Sequence, residues 1–312
     1  MRIVFMGTPD FAVPCLQRLI ADGHDVVGVF TQPDKPKGRG YVLCPPPVKV
    51  EAEKHHIPVF QPSSMKSSKA FQMLSDLKPE LSIVVAYGQI LPPDILYLPK
   101  HHSINIHASL LPKYRGAAPI QRAILDGEKK TGVTSMLMNE GLDTGDMLLQ
   151  KEIEIAENMT GGELHDALSL LAADVMSETI SLLSLHQLNP VKQEGNSNYA
   201  AMLSKSLCPV SFQKTAQEVH NQIRGLSPWP VATAEFLNKK FKLHVSRIGE
   251  SSLKEVGSIF VKENALHIVC GDHITVKILE LQQEGKKRMS TKDFLVGHTI
   301  PDGTKVSLVA EG

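Results

Sequence analysis

The opening of the chain constrains its fold more than any other stretch. Arg2-Ile-Val-Phe-Met6 is an apolar run of strand length, and Gly7-Thr8-Pro9 breaks it as a turn. A helix follows, with Asp10 placed to cap it and Pro14 close enough to its start to be tolerated. Residues 26–31 are apolar again and read as a second strand. Strand, turn, helix and strand in that order imply a parallel, doubly wound α/β sheet. The first turn lacks Gly-x-Gly-x-x-Gly, so a dinucleotide site in the usual place is not expected.

The alternation continues. Residues 81–86 form an apolar strand that runs into Tyr87-Gly-Gln-Ile-Leu-Pro92, and residues 103–107 form the next. A helix is expected from Pro119 to Gly127, with proline in its first turn. Residues 132–138 and 147–155 read as strands joined by a glycine-rich loop. Thr160-Gly-Gly-Glu163 matches a capping box, and Leu164, Leu168, Leu171 and Val175 then recur at helical spacing toward residue 185. From residue 189 the pattern gives way to Pro, Gly, Asn and Ser, the composition of a linker.

Beyond it the character changes. A short helix is expected over 215–224, ending at Gly225. Short strands follow at 231–236, 241–248, 257–262, 266–270, 274–281 and 305–309, with Gly271-Asp272 as a two-residue hairpin turn. Strands without alternating helices suggest a small barrel of the oligonucleotide-binding kind. The chain has 312 residues, enough for two domains with real cores. The expected division is 1–188, a linker at 189–207, and 208–312.

Candidate chemistry concentrates at the end of the strand 103–107. Asn105 and His107 alternate with Ile104 and Ile106, so the two polar groups share one face. An amide there can donate to a developing oxyanion, a contribution on the order of 10²–10³ in rate. An imidazole can do the same and also move a proton near neutral pH. In isolation, the plainer reading is a pair of polar groups satisfied by backbone. Asp143 lies between Gly141 and Gly145, in a loop able to reach a site; alone it reads as a turn aspartate.

Two basic stretches admit two readings each. Lys35, Lys37 and Arg39 alternate with Pro and Gly, which disfavours regular structure. They form either a solvated surface loop or a mobile finger that touches phosphates. Lys286, Lys287 and Arg288 pose the same choice. The net charge of +0 supplies no bulk signal for nucleic acid. Cys15, Cys44, Cys208 and Cys270 include no Cys-x-x-Cys pair, which disfavours a disulfide framework or structural zinc and fits a reducing cytoplasm. The first apolar run is too short for a signal peptide, and no apolar stretch is expected to approach a membrane span.

Together these residues resemble the methionyl-tRNA formyltransferase family over essentially the full chain. The matching stretches are Gly-Thr-Pro-Asp-Phe-Ala (7–12), Pro-Lys-Gly-Arg-Gly (36–40), Ala-Tyr-Gly-Gln-Ile-Leu-Pro (86–92) and Asn-Ile-His-Ala-Ser-Leu-Leu-Pro (105–112). Arg-Gly-Ala-Ala-Pro-Ile-Gln (115–121), Gly-Leu-Asp-Thr-Gly-Asp-Met (141–147), Pro-Trp-Pro (228–230) and Gly-Lys-Lys-Arg-Met-Ser (285–290) complete the set. The Asn-x-His motif with its downstream Leu-Asp-x-Gly is specific to folate-dependent formyl transfer but does not fix the acceptor. The basic finger and the Lys-Lys-Arg loop narrow the acceptor to tRNA. One region departs from the family: Lys205-Ser-Leu-Cys-Pro-Val-Ser-Phe212 replaces an acidic, tryptophan-containing segment.

The resemblance implies a Rossmann-like, mostly parallel sheet of the formyltransferase fold followed by a small OB-like β-barrel. It implies transfer of a formyl group from 10-formyltetrahydrofolate to the amino group of methionyl initiator tRNA, without a metal, by a cytoplasmic monomer serving translation initiation. Asn105, His107 and Asp143 would be catalytic, with Asp143 holding the imidazole charged and oriented. The pterin would lie in an apolar slot made by Tyr87, Gly88, Gln89, Ile90, Leu91, Ser109, Leu110, Leu111, Pro112 and Leu142. Lys35, Lys37, Arg39, Lys286, Lys287 and Arg288 would contact tRNA. The competing expectations are a formyltransferase for a purine ribonucleotide or nucleotide sugar, a formyl-folate hydrolase, and a non-catalytic RNA-binding protein.

Overall fold

The computed structural model describes residues 1–37 and 42–307. They divide into two compact units. The first comprises Met1–Gly116, Thr131–Ile153 and His165–Ala200; the second comprises Ala117–Lys130, Glu154–Leu164 and the described part of Ala201–Gly312.

The first unit is built on a seven-stranded sheet. Its spatial order is Met147–Glu154, Lys130–Leu137, Ser103–His107, Leu81–Val85, Arg2–Gly7, Asp25–Phe30 and Val59–Phe60. The pairs from Ser103–His107 to Val59–Phe60 are parallel, whereas Ser103–His107 meets Lys130–Leu137 antiparallel. Ile3 to Met6 are fully buried, as expected of a central parallel strand covered on both faces. The helices Val13–Ala21 and Gly161–Ser184 lock together: Ser169 Oγ donates to the Phe11 carbonyl at 2.9 Å and Arg18 to Asp174 at 2.8 Å. A second apolar cluster joins Met6, Phe30 and Val84 to Leu74 of the helix Ser68–Asp76 and Ile95 of Pro93–Leu96.

The order of the strands locates the crevice. From Arg2–Gly7 the chain moves outward to Asp25–Phe30, then returns to lay Leu81–Val85 on the other side. Gly7 pairs with Val85 at the carboxyl ends of the two strands. Ligands of open α/β sheets bind just beyond such a switch point.

Several expectations need correcting. Asp10 does not cap the helix Val13–Ala21; it starts a 3₁₀ turn, Asp10–Ala12, and its carboxylate accepts from the adjacent Phe11 N–H at 3.0 Å. The tighter turn brings the chain into the helix, whose N-cap is Ala12. The Pro/Gly-rich segment is not wholly irregular: Lys35–Lys37 pairs antiparallel with Val42–Cys44. A short two-strand ribbon has free edges, where Pro36 needs no N–H. Gly161–Ser184 is long and apolar enough to cross a membrane by length and composition. Its apolar stripe, including Leu168, Val175 and Ile180, is instead buried in the protein, and Asp174 and Glu178 make ion pairs elsewhere on it.

The expected linker is not a separate segment. Residues 189–200 belong to the first unit and 201–207 to the second. The Gln193 and Asn198 side chains, which look like solvated linker in sequence, serve as hydrogen-bonding partners to other loops of the first unit.

The second unit holds an antiparallel sheet in the order Ala232–Phe236, Lys239–Ser251, Ile274–Gln283, Ala265–Val269 and Ile259–Lys262, with Met289–Ser290 alongside Ile274–Gln283. Leu237-Asn238 and Glu263-Asn264 turn two hairpins with both residues at positive φ, the twist-compatible geometry. The turn at Gly271-Asp272 is one residue wider than expected. His273 joins it at φ 58°, and Asp272 accepts from Ile274 N at 3.1 Å. Lys305 makes only an isolated bridge to Ser258, and positions 308–309 of the expected last strand lie outside the described residues. Phe236 and Phe241 stack in the core with ring centroids 4.0 Å apart. The helix Ala216–Gly225 begins with the Thr215–Glu218 capping box and buries Val219 and Ile223.

Candidate active site

The strand Ser103–His107 carries Asn105 and His107 to the rim of the crevice, in register with Met136 and Thr134 of the neighbouring strand. His107 is buried, and its Nε2 lies 2.9 Å from the Tyr114 carbonyl. A carbonyl only accepts, so Nε2 carries a proton. The other nitrogen, Nδ1, is left for chemistry and faces Asp143 Oδ2 at 3.8 Å. Asn105 Nδ2 points at Asp143 Oδ1 from 3.5 Å. The structure therefore brings the amide, imidazole and carboxylate around one small space.

Asp143 is held more firmly than a turn residue would be. Its Oδ2 accepts from the Gly116 N–H at 2.8 Å. Its backbone adopts φ 51°, a left-handed conformation that non-glycine residues seldom take. Gly145 follows because nothing else fits: a Cβ there would sit 1.6 Å from the Leu137 carbonyl oxygen. Gly116 is fixed similarly, at φ 112° with the Tyr199 ring 2.6 Å from where its Cβ would be. Gln193 Nε2 donates to the carbonyls of Asp143 and Gly145, both at 2.8 Å, while its Oε1 accepts from Arg115 Nε at 3.0 Å and Nη2 at 2.7 Å.

The residues expected to line a pterin slot divide by what their side chains do. Tyr87 is buried in the core beside Phe30 and Leu91, and burial pushes its phenol well above the usual range. Its carbonyl accepts from Thr8 Oγ1 at 2.8 Å, and Gln32 Nε2 donates to the Gly88 carbonyl at 3.1 Å. Gln89 braces a neighbouring loop, accepting from Met65 N at 2.9 Å and donating to the Pro62 carbonyl at 3.0 Å. Ser109 and Leu111 are buried, with Leu110 and Pro112 half-buried. Their turn is pinned by Thr134 Oγ1 to the Ser109 carbonyl at 2.7 Å and by Gln150 Nε2 to the Leu111 carbonyl at 2.8 Å. Ile90 and Leu142 are exposed apolar side chains, 73 % and 58 %, which leaves them available to a flat ligand.

The basic residues fare differently. Lys35 lies at the start of the short hairpin, and Arg39 lies outside the described residues. In the second unit Lys286 and Lys287 are exposed, whereas Arg288 is engaged with Glu280, its Nε 2.6 Å from Oε2. Among the described residues, no group of three or more His, Cys, Asp or Glu side chains could hold a metal.

Sequence reasoning missed Thr8, Gln32, Arg115 as a side chain, Gln193 and Asn198. Gln193 and Asn198 carry no local signal, because a polar residue in a Pro/Gly/Asn/Ser stretch looks like any other. Chemically, the three converging groups donate, accept and relay protons, while Ser109 Oγ is spent on the Lys113 carbonyl at 2.7 Å. The arrangement suits attack by a nucleophile brought by a substrate.

Comparison with known proteins gives the same direction. The sequence model of the formyl transferase family matches residues 1–180, and that of the formyl transferase C-terminal domain matches 202–299. A protein of Alkaliphilus oremlandii named methionyl-tRNA formyltransferase is 49 % identical over 306 residues, covering 97 % of this chain and 98 % of its own length. A protein of the same name from Clostridium novyi is 46 % identical over 304 residues, covering 96 % and 98 %. The crystal structure of an N-formyltransferase from Helicobacter canadensis, in complex with folinic acid and dTDP-3-aminofucose, shares the fold with a TM-score of 0.68. It is 20 % identical and covers 90 % of this chain and 98 % of its own. With both family models and full-length relatives in agreement, the chain belongs to the formyl transferase family.

Proposed function

We propose that the protein transfers the formyl group of 10-formyltetrahydrofolate to the α-amino group of methionyl initiator tRNA. The observation that carries this reading is the convergence of Asn105, His107 and Asp143 within 3.5–3.8 Å at the rim of the sheet crevice. Relatives 46–49 % identical over nearly the full length are named methionyl-tRNA formyltransferase, which supports the acceptor.

The uncharged amine attacks the formyl carbon, forming an N–C bond while the carbonyl oxygen gains charge. Asn105 donates to that oxygen, and so does a proton on His107 Nδ1. The folate N–C bond then breaks, with the amine proton delivered to the departing folate nitrogen. Asp143 takes part in this relay. Nε2 stays on the Tyr114 carbonyl throughout, fixing the ring and leaving Nδ1 as the working nitrogen. The exposed Ile90 and Leu142 cover the pterin, and the pinned turn at 109–112 forms the opposing wall. The first unit holds formyl-folate. The second, through Lys286 and Lys287, and the basic finger with Lys35, Lys37 and Arg39 contact tRNA phosphates. The protein works as a cytoplasmic monomer.

The deciding experiment supplies purified protein with labelled 10-formyltetrahydrofolate and one acceptor at a time. Label in methionyl-tRNA supports the reading. Label in a nucleotide sugar or a purine ribonucleotide, or formate released without any amine, refutes it.

A further inference from the structure

We infer that Gln193 is a positioning residue that sets Asp143 against His107 and Asn105. The inference rests on the proposed catalytic role of Asp143 and extends it to a residue that never touches substrate.

The loop of residues 139–146 is only partly self-supporting. Asn139 Oδ1 accepts from Gly141 N at 3.0 Å and from Thr144 Oγ1 at 2.8 Å, which shapes the first half of the turn. The carbonyls of Asp143 and Gly145 are left to Gln193, whose single NH₂ donates to both at 2.8 Å. Arg115 decides which way that amide faces. Its guanidinium donates twice to Oε1, so a flipped amide would aim NH₂ at a cation and its oxygen at two carbonyls. Every hydrogen-bonding site on Gln193 that bears on the loop is thus used in one orientation only.

The same segment also sets the imidazole. Tyr199–Ala200 pairs with Arg115–Gly116 in parallel. Asn198 Oδ1 accepts from Tyr114 N at 2.5 Å, and its carbonyl accepts from Arg115 N at 3.1 Å. Tyr114 in turn accepts from His107 Nε2, and Gly116 N–H donates to Asp143 Oδ2. Residues 193–200 therefore fix both partners of the 3.8 Å His107–Asp143 approach from one short stretch of chain. Asp143, held at positive φ, is the member most apt to relax when its carbonyl loses its donor.

The test uses the full chain and single-turnover formyl transfer to methionyl-tRNA, with Gln193→Ala, Gln193→Glu, Asp143→Asn and the double variant Gln193→Ala/Asp143→Asn. Gln193→Glu keeps the acceptor for Arg115 and loses both donors. Misplacing a catalytic group by a fraction of a bond length costs about 10- to 100-fold, so both Gln193 variants should lose that much in rate. KM for methionyl-tRNA should stay within about threefold of the parent, since none of its proposed contacts lies in this loop. In the Asp143→Asn background, Gln193→Ala should cause no further loss, because it acts through a group already disabled. An unchanged rate in both Gln193 variants overturns the inference. So does a loss that recurs in full in the double variant, which marks a general structural role. Should Asp143→Asn itself retain the parental rate, the catalytic reading of Asp143 fails first, and the inference falls with it.

Discussion

His220 should make the second unit sensitive to mild acid. The side chain is fully buried on the helix Ala216–Gly225, with Nδ1 2.8 Å from Ser246 Oγ and Nε2 3.2 Å from the Glu157 carbonyl. Burial pushes the imidazole down to about 4, and the nearby Arg224 and Arg247 cations reinforce the shift against the Glu157 contacts. In the unfolded chain a histidine titrates near 6.5. As pH falls below 6.5 the unfolded state takes up the proton first, so stability is full above that value. It declines between about 6.5 and 4 and is level below. A difference of about 2.5 pK units corresponds to about 3 kcal/mol in total, of which about 2 kcal/mol is lost by pH 5. Urea unfolding followed by the fluorescence of Trp229, the chain's single tryptophan, reads this unit directly. The parent should lose about 2 kcal/mol more than His220→Gln between pH 7 and pH 5. His244 and His267, also depressed by burial, are common to both proteins and cancel. Equal losses in the two proteins would refute the reasoning.

Three further outcomes follow from the geometry. Asn105→Ala should slow single-turnover formyl transfer by about 10²-fold or more with the fold intact, and a near-parental rate would refute its proposed role as oxyanion donor. Gly145→Ala should cost about 1–3 kcal/mol in thermal unfolding, because its Cβ would meet the Leu137 carbonyl oxygen at 1.6 Å. Lys286→Ala and Lys287→Ala should each flatten the salt dependence of tRNA binding, whereas Arg288→Ala should change it less, since that cation is already paired with Glu280.

The parts of the fold that follow local rules could be read from the sequence. The apolar run at Arg2–Gly7, the strand Ser103–His107, the capping box at Thr160 and the helix Ala216–Gly225 depend on near neighbours, and each is where the pattern put it. The shared face of Asn105 and His107 follows from strand periodicity alone. The turn at Gly271-Asp272 was legible in place but not in width, because Asp272 also accepts from Ala216 N, a residue far away in sequence. The support of Asp143 was not legible. Gln193 lies fifty residues downstream of it, in a stretch whose composition resembles solvated chain, and only the folded pairing with Arg115 gives that amide a purpose. The membrane-length apolarity of Gly161–Ser184 is a property of its whole length and composition, which the helical spacing of Leu164, Leu168, Leu171 and Val175 does not display.

The interleaving of the two units bears on how this polypeptide can be cut or synthesised. The boundary is crossed at 116/117, 130/131, 153/154, 164/165 and 200/201. A fragment beginning at Ala201 would lack the helix Pro119–Leu125, whose Ile124 and Leu125 flank Gly225, and also the Ala156 and Met159 carbonyls that accept from the buried Arg224. On the ribosome, those early pieces emerge long before their partners and must wait with apolar side chains uncovered until the last third of the message has been read.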